Sequence, residues 1–241
     1  CAYGYTDFTV EAGDYLRYGE ENEVLVTVKC GTRSSRWYSG AGIYRDVWLI
    51  RGGETFVQPY GLKFTTLDVD ADGALACVSA QIHNDGLAAK TLTVSVHVRD
   101  QEGRTAVDQR YPVRINSRSV LDFRKNVYID GAKLWDEYAP NLYEITLTIL
   151  EGDTVLDETV VTSGIRRLSV DARHGLRVNG KSVKLRGACI HHDQGILGAA
   201  AYEDYEYRRV KRLKEAGFNA IRSAHNPASQ ALLNACDRLG V

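Results

Sequence analysis

The chain has 241 residues, 44% hydrophobic and 25% charged, and a formal net charge of −1. That is the balance of a soluble globular chain of one to three units, and so small a charge removes the electrostatic reason to expect nucleic acid or an anionic membrane as partner. No apolar run approaches the roughly 20 residues that span a bilayer, and the five cysteines lack any CxxC pair, which argues against a zinc site or a disulfide framework.

The chain opens at Cys1 and contains no methionine, so its natural N-terminus is expected upstream. A cytoplasmic location is favoured, with an upstream export signal left open. Residues 1–51 read as β. Glu23-Val24-Leu25-Val26-Thr27-Val28-Lys29 is predicted as a strand after the turn-prone run 18–22. A glycine-rich turn at 40–42 leads into a second apolar strand ending at Ile50.

Alternation dominates over 54–164. Leu92, Val94, Val96 and Val98 face one way, and Thr91, Thr93, Ser95 and His97 the other. Tyr143, Ile145, Leu147 and Ile149 repeat the pattern, and Glu151-Gly152-Asp153 turns the chain into another strand. Asn84-Asp85-Gly86 supplies a further tight turn. Several short strands with one apolar face each need a second sheet to cover them, which predicts an immunoglobulin-like sandwich. His83 and His97 read as ordinary strand residues.

Beyond Gly164 the hydrophobic period changes. An Asn179-Gly180 hairpin is followed by a strand over 183–190, then a helix from about 203 to 216 with Tyr207, Val210 and Leu213 on one face. Glu203, Glu206 and Glu215 read as solvated charges of that helix. A second strand over 218–222 and a second helix over 228–239, closed by Gly240, complete the chain. Strand, helix, strand, helix with short links means parallel strands, either of an open α/β sheet or of the first quarter of a (β/α)8 barrel. The chain thus divides into units at 1–51, 54–164 and 165–241.

Two polar clusters follow the two parallel strands: His191-His192-Asp193-Gln194, and Arg222 with His225 and Asn226. Adjacent parallel strands bring their C-terminal loops side by side, where α/β folds place their sites. Donors and acceptors for several hydroxyl groups would converge there. Taken singly, each histidine is more often structural. A histidine metal site is disfavoured, because adjacent strand residues point to opposite sides.

The run Phe218-Asn219-Ala220-Ile221-Arg222-Ser223-Ala224-His225-Asn226-Pro227, followed by Cys236-Asp237-Arg238-Leu239-Gly240-Val241, closely resembles a signature of glycoside hydrolase family 2. Three further segments are similar to that family in the same order. They are the run 36–47 (RWYSGAGIYRDV), the run 134–143 (LWDEYAPNLY) and the run from Asn179 to Asp193. The resemblance implies the end of a jelly-roll β domain, an immunoglobulin-like β-sandwich and the start of a TIM (β/α)8 barrel. It implies a β-glycoside as substrate, β-galactosides first, with β-glucuronides or β-mannosides as alternatives. It further implies substrate-contacting roles for His191, Arg222 and His225, and places Asn226 beside them. Arg36 stands where some members carry a pocket carboxylate, and Asp193 is the candidate to supply that group instead, as in the β-galactosidase-like branch.

Retaining members of the family use two glutamates on later barrel strands, the acid/base one after an asparagine. No Asn-Glu pair occurs after Gly164. No residue of this chain is therefore assigned as catalytic, and the chain alone is expected to be inactive. No cofactor or metal is implied for it, metal use and homo-oligomerisation of the complete enzyme being left open. The reading from another class is a non-catalytic carbohydrate-binding protein.

Overall fold

A computed structural model describes residues 4–29 and 42–241. Eight strands build a β-sandwich: β1 (Thr55–Val57), β2 (Lys63–Val69), β3 (Gly73–Asn84), β4 (Lys90–Asp100), β5 (Thr105–Ile115), β6 (Ser119–Asp130), β7 (Tyr143–Glu151) and β8 (Thr154–Ser163). β3 is flanked by β1 and β2 on one side and β6 on the other, and the second sheet runs β5-β4-β7-β8. The chain changes sheet between β3 and β4, β5 and β6, and β6 and β7, while β4–β5 and β7–β8 are hairpins. This is the expected immunoglobulin-like arrangement.

Period-2 patterning explains the core. Leu92, Val94, Val96 and Val98 of β4 and Ile145, Leu147 and Ile149 of β7 are buried, facing Ala74, Ala76, Val78 and Ile82 of β3. His83 stacks on Phe56 at 4.9 Å between ring centroids, and Nε2 of His97 lies 3.0 Å from Thr105 Oγ1, so both are structural. Asn84-Asp85-Gly86 opens the loop that changes sheet and does not close a hairpin. Asn84 is buried because its amide donates to the carbonyls of Ala88 and Asn116.

Two expected strands are absent among the described residues. Residues 23–29 and 42–50 pair with no described residue, and Val24, Leu25, Val47, Trp48 and Leu49 are exposed. A strand exists only with a ladder partner, whatever its side-chain pattern. A single 3-10 turn at Gly13–Tyr15 is the one named element there among the described residues.

After the sandwich, β9 (Leu168–Asp171), β10 (Gly175–Val178) and β11 (Lys181–Ser182) form a small antiparallel sheet. Asn179 and Gly180 both have positive φ, 51° and 80°, as a type I′ turn requires. Then come β12 (Gly187–Ile190), α1 (Glu203–Glu215), β13 (Ala220–Ser223) and α2 (Gln230–Leu239). β12 and β13 pair in parallel, Gly187 opposite Ala220 and Ile190 opposite Ser223, as the start of an open α/β sheet or of a (β/α)8 barrel requires. β12 is shorter than expected because Asn219 takes over the preceding backbone: its Oδ1 accepts from Arg186 N and its Nδ2 donates to Lys184 O. Ser229 caps α2 by accepting from Leu232 N, and Gly240 ends it at φ 71°.

The sandwich is fastened to the barrel strands through Trp135. Its Nε1 donates to the carbonyl of Asp237 at 2.8 Å, and Arg166 lies 4.5 Å over its ring. Its carbonyl accepts from Asn179 Nδ2 at 2.9 Å. Lys214 Nζ donates to the carbonyls of Glu137 and Gly240, 2.5 and 2.7 Å away. The approach is close enough to demand glycine: a β-carbon at Gly240 would lie 2.7 Å from the Glu137 oxygen.

Candidate functional site

The paired register of β12 and β13 delivers two loops to the same end of the sheet. His191 follows β12 and His225 lies two residues beyond β13. Their rings meet at 5.1 Å between centroids, tilted by 49°. Opposite residues of parallel strands point the same way, and Cys189 sits opposite Arg222. Arg222 Nη1 accordingly lies 3.4 Å from Cys189 Sγ.

His225 has φ 70°, in the left-handed region that a residue with a β-carbon occupies only under constraint. The constraint is local. Asn226 N donates to Ala224 O at 2.9 Å, closing a three-residue γ-turn around His225. Ser223 Oγ donates to Asn226 O at 2.9 Å, and Asn226 is buried. Arg45 Nη2 donates to Pro227 O at 2.6 Å. The imidazole is thus held out of the loop by bonds on both sides of its own residue.

The first loop is held from two directions. Tyr5 stacks on His192 at 6.3 Å and Tyr44 meets it edge-on at 5.9 Å, while Arg45 lies 5.0 Å from the Tyr44 ring. Burial, with the Arg45 and Arg209 charges nearby, holds the His192 imidazole below its ordinary value. On the other side α1 presents Glu206, which is buried rather than solvated. Its Oε1 accepts from Gln194 Nε2 at 2.6 Å, and burial raises its carboxyl above the usual range despite Arg209. The buried face of α1 therefore carries Glu206 and Val210, with Tyr207 exposed. Spacing could not reveal this, because Glu206 is buried by a loop partner rather than by apolar packing. Glu203 is exposed and paired with Arg238 at 3.2 Å.

Asp193 is exposed on the first loop and, with His191, Tyr205, Arg208 and Arg209, lines a cavity of about 590 Å³ between β12 and α1. The structure thus brings His191 and His225 into contact, with Arg222 and Asn226 on the same strand–loop unit as His225. Arg36 lies outside the described residues. Tyr5, Tyr44 and Arg45 also reach the site; Tyr44 and Arg45 lie in the run 36–47, which gave them no site role, and no motif marked Tyr5. Among the described residues, no group of three or more His, Cys, Asp or Glu side chains is arranged to hold a metal ion, and no helix is long and apolar enough to cross a membrane.

Residues 61–166 match the model described as "Glycosyl hydrolases family 2", and residues 170–241 match "Glycosyl hydrolases family 2, TIM barrel domain". The chain is 36% identical over 239 residues to "Beta-galactosidase BoGH2A" of Bacteroides ovatus, covering 99% of this chain and 28% of that protein. It is 27% identical over 252 residues to a "Beta-glucuronidase" of Bacteroides fragilis, covering 99% and 36%. A crystal structure of a glycosyl hydrolase family 2 member from Bacteroides cellulosilyticus superposes with a TM-score of 0.93 at 36% identity, over 99% of this chain and 33% of that one. The chain therefore spans about a third of the length of these relatives.

Proposed function

Because this chain belongs to glycosyl hydrolases family 2, we propose that the protein carrying it hydrolyses β-glycosides, β-galactosides first, and that this chain supplies part of the sugar subsite. The observation that carries the reading is the meeting of His191 and His225 at the C-terminal ends of paired parallel strands. Two imidazoles, the Arg222 guanidinium and the Asp193 carboxylate offer hydrogen bonds suited to a ring bearing several hydroxyl groups.

Retention of configuration needs an acid/base and a nucleophilic carboxyl group about 5 Å apart. No pair in this chain is proposed for those roles: Asp193 is a hydroxyl acceptor, and the carboxyl of Glu206 is committed to Gln194. The two carboxylates are proposed to come from sequence outside this chain. The reaction then proceeds through a covalent glycosyl intermediate, and the contacts that tighten as the ring flattens accelerate it. Similarity to a relative named β-galactosidase at 36% identity supports galactosides. A β-glucuronidase reading is supported by the relative of that name at 27%.

The test is turnover by the full-length protein of p-nitrophenyl β-D-galactoside and β-D-glucuronide. Faster cleavage of the galactoside is expected, and none by the purified 241-residue chain. Preference for the glucuronide would reverse the substrate assignment. Sugar binding with no turnover of any β-glycoside would replace the enzyme with a binding protein, and turnover by the isolated chain would overturn the placement of the carboxylates.

A further inference from the structure

Helix α1 reaches three of the four residues in the run His191-His192-Asp193-Gln194. Arg209 Nη1 donates to the carbonyl of His191 at 3.3 Å and Nη2 to that of Asp193 at 2.5 Å. One turn earlier, Glu206 Oε1 accepts from Gln194 Nε2, and Glu206 Oε2 lies 3.7 Å from Arg209 Nη1. The i, i+3 spacing puts both side chains on one helix face. Glu206 and Gln194 are each only 4% exposed.

Burying a carboxyl group among polar partners is costly, which a helix needing only an anchor would avoid with an apolar residue. The guanidinium, moreover, places both arms of its fork on the loop backbone. Bridging the carbonyls of residues i and i+2 fixes the peptide planes that follow His191 and Asp193. That sets the directions in which His191 and Asp193 leave the backbone, while His192 is braced by Tyr5 and Tyr44. A lysine would keep the charge and lose the planar two-point grip.

We propose that Arg209 and Glu206 are positioning residues for sugar binding: they act on His191 and Asp193 through the backbone of the loop. The proposal rests on the reading that those two residues line the subsite. It is tested in the full-length protein with p-nitrophenyl β-D-galactoside by a double-mutant cycle. Arg209→Lys should lower kcat/KM by about 10- to 100-fold, the scale of a small misplacement of binding groups. In a His191→Ala/Asp193→Asn background the same change should cost less than about twofold, because the groups it aims are gone. Equal losses in both backgrounds, or none in the parent, would overturn the positioning role and leave the subsite intact. Unimpaired kinetics in the His191→Ala/Asp193→Asn background would instead remove the subsite reading, and this proposal with it. Should Arg209→Lys fail to fold, Glu206→Ala, which removes the acceptor for Gln194 Nε2, is read through the same cycle with the same criteria.

Discussion

His225 combines a strained backbone with a contact to the opposite histidine, and the two properties separate by mutation. Alanine keeps the β-carbon at φ 70° and removes the imidazole; glycine removes both the imidazole and the strain. In the full-length protein both variants should lose about threefold to tenfold in kcat, as expected for one lost hydrogen bond. The glycine variant should be more stable than the alanine variant by about 1 kcal/mol. Kinetics on the chromogenic galactoside, with denaturant midpoints alongside, check both. Equal stability would remove the strain, and undiminished kcat would remove the contact. The sequence disclosed which residues follow the two strands, because parallel pairing alone dictates that their loops are neighbours. It did not disclose the γ-turn, since the Ser223 hydroxyl and the Asn226 carbonyl that secure it have no distinguishing pattern.

At the level of the element, α1 departs most from its periodic reading. Apolar spacing located Val210 but chose Tyr207 over Glu206, because hydrophobic periodicity cannot register a polar side chain buried by a distant amide. A pH dependence follows. Burial raises the carboxyl of Glu206, and likewise that of Asp237 at the end of α2. Each binds its proton more tightly folded than unfolded. Their stabilising effect is complete below the unfolded value near about 4, and it is lost as pH rises through the raised folded value. Between about pH 5 and pH 7, Glu206→Gln should therefore gain denaturant resistance relative to the parent. A midpoint difference that stays flat across that range would show the carboxyl to be ionised throughout. Elsewhere the elements were legible wherever local chemistry decides them: β4 and β7 from alternation, the β10–β11 turn from Asn179-Gly180, and the end of α2 from Gly240. The stretches 23–29 and 42–50 were misread because an apolar run after a turn signal says nothing about a partner strand.

For the molecule as a whole, Trp135 is the side chain through which the sandwich and the barrel strands share a fate. It is buried, donates to α2 and is covered by Arg166. Trp135→Ala should cost about 3–5 kcal/mol and split a joint thermal transition into separate ones for the two units. Trp135→Phe, which loses chiefly the indole donor, should cost about 1 kcal/mol. Calorimetry of the parent and both variants decides this. Independent melting in the parent would show that the contact couples nothing.

The glycine at that junction has a mechanical meaning. Domains joined through a wet, loosely packed interface swing by default. Here Gly240, at the end of α2, abuts the Glu137 backbone of the sandwich with less clearance than one methyl group. Such a joint transmits load without play: rotation of the sandwich would drive backbone into backbone before it opened a gap. The sandwich is therefore a rigid mount for the first two parallel strands, and any opening of the proposed subsite has to come from the loops.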